Sequence, residues 1–361
     1  MKISVITLHR VFNFGSVLQA YATECFFKKL GFEAEIIDYI PENWQTKKMI
    51  FKASGKLSAK KMIYALFRSF AVWLKQKTIW SFLKKNVNLT KKYLSYNELC
   101  KNPPKADIYC TGSDQVWNSA YCNCDPSFYL QFGEHDAKRI AYAASFGKTE
   151  IDEEEKATVA EYLSQYSKLT LREDSAVSLV NKMGFEGTAV IDPTLQLDAE
   201  NWRKIMSKRL IKEKYLILML LYNEDNGATE LARKIADKKG LKLIKISWEM
   251  TKPPLVDKLM THRTPEDFLS LFNYADFVVT NSFHGLAFSI NLNKQFVVVK
   301  RNEFNSRIES LLRLTLLEER LVDSEFDMNI VDKEIDYSPV NEVLEKERTK
   351  TYDLFKESLL C

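Results

Sequence analysis

The stretch ISVITLHRVFNFGSVLQAYATECFFKKLGFEAEIIDY, residues 3–39, reads as strand, turn, helix and strand. Ile3 to Leu8 is a short apolar run, the form taken by a strand buried on both faces. Phe14-Gly15-Ser16 makes a tight turn. Val17 to Leu30 follows as a helix, with Ser16 as N-cap and Gly31 where a left-handed residue closes a helix. Glu33 to Tyr39 is the second strand. The three pieces form a βαβ unit, the opening of an open parallel sheet.

The same alternation recurs downstream. Strands are expected at Ala106 to Thr111, Arg139 to Ala144, Lys168 to Leu171 and Thr188 to Ile191. Helices are expected at Asp152 to Tyr166 and Asp174 to Met183, the latter closed by Gly184. A second series then begins with strands at Tyr215 to Leu221, Leu241 to Ile246, Phe277 to Thr280 and Gln295 to Val299. Its helices are Ala228 to Lys239, Pro265 to Tyr274 and Leu286 to Asn291. Two such runs predict two doubly wound α/β lobes facing a cleft, residues 1–197 and 198–338, with a helical tail over 339–361. Ligands of such sheets bind beyond the carboxyl ends of the strands, and the polar, glycine-containing clusters of this chain fall there.

One segment interrupts the pattern. Residues 43–97 hold thirteen of the 52 Lys and Arg and none of the 48 Asp and Glu, so the rest of the chain is net acidic although the whole is +4. Ile63, Leu66, Phe67, Phe70 and Leu74 repeat at helical spacing, flanked by Trp73 and Trp80. We read a basic helical insertion of the first lobe. Such segregated charge suits a local anionic partner and not general nucleic-acid binding. An anionic lipid surface would fit it; a solvated face over the lobe's own core fits it equally.

A hydrophobic content of 46% and a charged content of 28% are ordinary for a folded globular chain. Ile3 to Leu8 is too short for an export signal, and no apolar run reaches the roughly 18 residues of a membrane span. The six cysteines include Cys122-Asn123-Cys124, but no second pair or nearby histidine completes a metal set. The expectation is a cytoplasmic protein with reduced thiols and no metal.

Five clusters could carry chemistry. His284, one of four histidines, sits in a strand-to-helix turn before Gly285. The following amides favour an anion beside an imidazole able to move a proton. The other account is a histidine capping or packing under the turn. Arg172 ends a strand and suits a carboxylate or phosphate, unless it pairs with Glu173 or Asp174. Asn13, Gly15 and Ser16 open the first helix and could hold a sugar hydroxyl or phosphate, or merely cap. Ser113, Asp114 and Trp117 suit a polyol, Trp117 stacking on it and Asp114 accepting its hydroxyls; Asp114 as an N-cap competes. Arg301, Ser306 and Arg307 add positive charge after the last strand. G-x-G-x-x-G is absent, which argues against a nicotinamide enzyme.

Taken in order, the pieces NFGSVLQ (13–19), TGSDQVWN (111–118), YAASFG (142–147), LREDSA (171–176), DPTL (192–195) and ADFVVTNSFHG (275–285) resemble the polysaccharide pyruvyl transferases. The resemblance runs over most of the chain. It implies two Rossmann-like lobes similar to the GT-B glycosyltransferases, with phosphoenolpyruvate as co-substrate, no further cofactor, and a sugar acceptor that gains a pyruvate ketal. Capsule and exopolysaccharide sugars are commonly built on a polyprenyl carrier at the inner face of the membrane, which would make contact there peripheral. The family's histidine falls on His284 and its arginine on Arg172. Some members have arginine two residues before the histidine, where this chain has Ser282, so Arg301 or Arg307 would supply that contact. The candidate catalytic set is His284, Arg172 and Asp114. Arg172, Ser282, His284, Gly285, Arg301 and Arg307 form the donor set; Asn13, Gly15, Ser16, Ser113, Asp114 and Trp117 form the acceptor set. Two other readings share these features: a GT-B glycosyltransferase using a nucleotide sugar, and a non-catalytic saccharide- or lipid-binding protein.

Overall fold

A computed structural model describes residues 1–44, 76–221, 224–249, 251–302, 305–323 and 327–360, without the side chain of residue 43. The stripe from Ile63 to Leu74, with Trp73, lies outside those residues. The chain divides into two compact units. One is Met1–Phe146 with Glu150–Leu171 and Val177–Thr188; the other is Gly147–Thr149 with Arg172–Ala176 and Ala189–Cys361. Where a single break near residue 197 was expected, short pieces from the middle of the chain belong to the second unit.

The first unit is built on seven strands: β1 (Lys2–Ile6), β2 (Glu33–Tyr39), β3 (Leu89–Tyr93), β4 (Ile108–Thr111), β5 (Lys138–Ala144), β6 (Lys168–Leu171) and β7 (Gly187–Ala189). Their order is β3-β2-β1-β4-β5-β6-β7. Ile3 of β1 lies opposite Ala34 on one side and Ile108 on the other, both in parallel register. Ile3, Val5, Ile36, Ile37, Ile108 and Ile140 are buried to 1% or less, which is why these strands read as unbroken apolar runs and not as alternation. The chain leaves β1 in one direction and later returns to its other side at β4, so the strand order reverses between them. That is the switch point at which such sheets bind ligands.

Two readings of this unit need correction. The first helix is Phe14–Lys29 and begins earlier than expected, because Asn13, not Ser16, is its N-cap and accepts the Gly15 amide at 2.9 Å. The basic segment also contains a strand. β3 lies inside 43–97 and pairs with β2 at the sheet edge, where exposed lysines discourage a further strand from adding. Residues 76–86 are helical, with Ile79, Phe82 and Leu83 buried and Lys84 and Lys85 exposed, an amphipathic arrangement.

The second unit holds β8 (Tyr215–Met219), β9 (Lys242–Ile246), β10 (Lys258–Met260), β11 (Phe277–Thr280), β12 (Gln295–Val299) and β13 (Leu321–Val322). They form a parallel sheet in the order β10-β9-β8-β11-β12-β13, with its switch point between β8 and β11. Leu216, Leu218, Val279 and Val297 pack against Leu231, Ala232 and Ile235 of helix Ala228–Lys239. Each of these leucine, valine and isoleucine side chains contributes roughly 1.5–3 kcal/mol by leaving water. The tail is a helix, Tyr337–Leu360. It is tied into the second unit by Arg348, whose guanidinium donates to the Leu195 carbonyl at 2.8 Å and to Asn291 Oδ1 at 3.1 Å. Among the described residues, no helix is long and apolar enough to cross a membrane.

Candidate functional site

In the second unit the turn after β11 is tightly constructed. Thr280 Oγ1 donates to the Met219 carbonyl at 2.7 Å and accepts the Ser282 amide at 3.0 Å. Ser282 caps helix Phe283–Asn291, its Oγ accepting the Gly285 amide at 3.3 Å. His284 therefore lies in the first turn of that helix and not in the loop before it. Gly285 has a packing role: a Cβ there would come within 2.3 Å of Thr280 Oγ1.

The charges gather around this helix start. Arg172 follows β6, and its side chain is 1% exposed. Its Nη1 donates to Asp192 Oδ2 at 2.9 Å, and its Nε lies 3.8 Å from Glu173 Oε2. Asp174, the other partner considered for Arg172, lies 3.4 Å from Arg313. Asp192 also accepts the Thr194 amide and hydroxyl at 2.8 and 2.6 Å. Burial alone would raise the Asp192 carboxyl. The Arg172 and His284 charges and the Thr194 bonds outweigh it and hold the group below its ordinary value. Arg172 lies over the Phe283 ring, its guanidinium carbon 4.6 Å from the centroid, and Arg307 approaches the same ring at 5.8 Å. Arg172, His284 and Arg307 are thus brought together with Asp192. Arg301 is engaged elsewhere: its Nε donates to Glu224 at 2.9 Å, and Glu224 also accepts the Asn302 amide at 2.8 Å.

In the first unit the acceptor candidates separate into two groups. Ser16 Oγ donates to the Asp114 carboxylate, which also accepts the Gln115 amide at 2.8 Å. Asp114 is buried and in the left-handed region, φ 76°, a conformation that costs of order 1–3 kcal/mol outside glycine and collects at functional sites. Thr7 Oγ1 donates to the Ser113 carbonyl at 2.7 Å and accepts from Gln19 at 2.8 Å, joining β1, β4 and the first helix at the switch point. Trp117 does not belong with them. It is 1% exposed, stacks on Tyr129 with centroids 5.6 Å apart, and donates its indole N–H to the Phe128 carbonyl at 3.1 Å. Its ring is core and offers no face to a sugar.

Sequence reasoning missed a second cluster in this unit. His9 Nε2 lies 3.3 Å from Asp38 Oδ1, and Arg10 donates to both oxygens of Asp38 at 2.7 and 2.5 Å. Burial would raise the Asp38 carboxyl, but the bonds from His9 and Arg10 outweigh it and hold the group far below the usual range. Arg10 also covers the Trp80 ring at 5.1 Å. The available signal was position: His9 follows β1 as His284 follows β11, each beside its sheet's switch point. Asp192 was visible too, as the acidic residue of the DPTL turn.

Several solved structures are similar to this chain. The UDP-GlcNAc 2-epimerase from Neisseria meningitidis, crystallised with UDP-GlcNAc, is similar at TM-score 0.53 and 10% identity, over 100% of both chains. The UDP-GlcNAc 2-epimerase from Methanocaldococcus jannaschii has TM-score 0.46 and 12% identity, over 96% of this chain and 92% of its own. A glycosyltransferase from Streptomyces nogalater has TM-score 0.42 and 10% identity, over 100% and 98%. The Neisseria likeness shows the fold alone, two Rossmann-like lobes. No curated protein matches the chain. The family model described as polysaccharide pyruvyl transferase matches residues 13–303, and the chain belongs to that family.

Proposed function

We propose that this enzyme moves the pyruvyl group of phosphoenolpyruvate onto a sugar of a polysaccharide precursor, forming a pyruvate ketal. The observation that carries the reading is the gathering of Arg172 and His284, far apart in sequence, about the one carboxylate of Asp192. Arg172 and the start of helix Phe283–Asn291 hold the donor's carboxylate and phosphate. His284 delivers a proton to the methylene carbon of the enol, and positive charge develops on the neighbouring carbon. A sugar hydroxyl attacks that carbon, and its proton restores the one that His284 gave up. The carbon–oxygen bond to phosphate then breaks, a second hydroxyl of the same sugar closes the ring, and its proton leaves with phosphate. The balance is one phosphoenolpyruvate and one diol to one ketal and one phosphate, and the scheme uses no metal or nucleotide. For the acceptor we propose a polyprenyl-diphosphate-linked sugar, with the basic segment 43–97 meeting an anionic membrane.

The test is the thermal shift of the purified protein with phosphoenolpyruvate and with a panel of nucleotide sugars. Phosphoenolpyruvate should stabilise the wild type. Arg172→Lys, which keeps the charge against Asp192 but loses the guanidinium fork, should lose most of that shift. His284→Ala should keep the fold and lose turnover. Stabilisation by a nucleotide sugar alone would overturn the reading in favour of glycosyl transfer.

A further inference from the structure

Phe283 is an unusual element of the site. It is an apolar residue at the first position of a helix, 5% exposed, with two guanidiniums on its ring. Arg172 reaches it from the end of β6 and Arg307 from the start of helix Ser306–Leu314. The His284 ring meets it edge-on, centroids 5.3 Å apart. The negative face of an aromatic ring attracts each of these two cations. Arg301, the other arginine of this region, is held by Glu224.

We propose that Phe283 is a positioning residue: its ring spaces Arg172 and Arg307 as a clamp for two anionic groups borne by one carbon of a small ligand. Resting on the donor-site reading above, the ligand is phosphoenolpyruvate, whose carboxylate and phosphate branch from one carbon. Arg307 then supplies the second cationic contact of the donor, and Ser282 is left to cap the helix. The ring also sets the distance between the clamp and the His284 imidazole on the same turn.

The experiment compares Phe283→Leu, which keeps apolar volume without a π face, with Phe283→Tyr, which keeps the ring. Dissociation constants for phosphoenolpyruvate are read by calorimetry, with KM, kcat and unfolding midpoints measured alongside. Phe283→Tyr should bind within about twofold of wild type and Phe283→Leu about tenfold more weakly, as expected for lost cation–π contacts. The loss should appear in KM more than in kcat. Arg307→Ala should weaken binding too, and combining it with Phe283→Leu should cost less than the two losses together. Phe283→Met replaces Phe283→Leu if the latter does not fold. Wild-type affinity in Phe283→Leu and Arg307→Ala, with Arg172→Lys impaired, would overturn the clamp and leave the donor site standing. Absence of binding to the wild type would overturn both.

Discussion

Asp192 sits fully buried between the arginine it neutralises and the turn it caps. Its depressed carboxyl pKa means that the folded state prefers the ionised form more than the unfolded chain does. That preference stabilises the protein at every pH above the ordinary carboxylate value, about 3.9, and is lost as pH falls through the lower folded value. Asp192→Asn should therefore cost about 3–5 kcal/mol near neutrality, since it strands a buried guanidinium. The gap to wild type should narrow on acidification. Denaturant unfolding at pH 7 and near pH 3 would show it; a gap that widened in acid would contradict the ion pair. At this scale the sequence was only partly legible. His284 and Arg172 stand out because they follow apolar strands. The partner of each charge does not, because ion pairs such as Arg172 with Asp192 or Arg301 with Glu224 join residues distant in the chain. Trp117 misled for the same reason: an indole in a polar loop signals stacking on a sugar until Tyr129 and Phe128 are seen to enclose it.

Among the elements, the central strands of both sheets were readable, and of the edge strands only β7 was. β1, β4, β8, β11 and β12 are covered on both faces and so announce themselves as apolar runs. β3, β10 and β13 lie at sheet edges. Their sequences, LTKKY, KLM and LV, are short or carry solvent-facing lysines. Helix starts moved by a few residues wherever a side chain took a backbone amide earlier than expected, as Asn13 and Ser282 do. The helix carrying His284 depends on one close approach. Gly285→Ala would force a methyl group against Thr280 Oγ1, which is held by two hydrogen bonds and cannot swing aside cheaply. Overpacking of this kind costs about 1–3 kcal/mol. It should appear as a lowered denaturant midpoint with unchanged slope; an unchanged midpoint would mean that the turn yields more easily than its bonding suggests.

For the molecule as a whole, the charge balance separates a basic segment from an acidic remainder. If residues 43–97 meet an anionic membrane, the protein should sediment with vesicles containing phosphatidylglycerol at low salt and be released as salt rises. Binding equally strong to neutral vesicles, or none to either, would count against that contact. The division of the chain has another consequence. Arg172 comes from a five-residue piece lying between two stretches of the first unit, whereas Asp192, His284 and Arg307 follow residue 188. A gene crossover that exchanged everything after that point would hand on the imidazole and one guanidinium while leaving the other with the resident parent. The buried ion pair of such a hybrid would join residues of different ancestry, and a lineage that swapped halves would have to keep the two parents' contributions to it compatible.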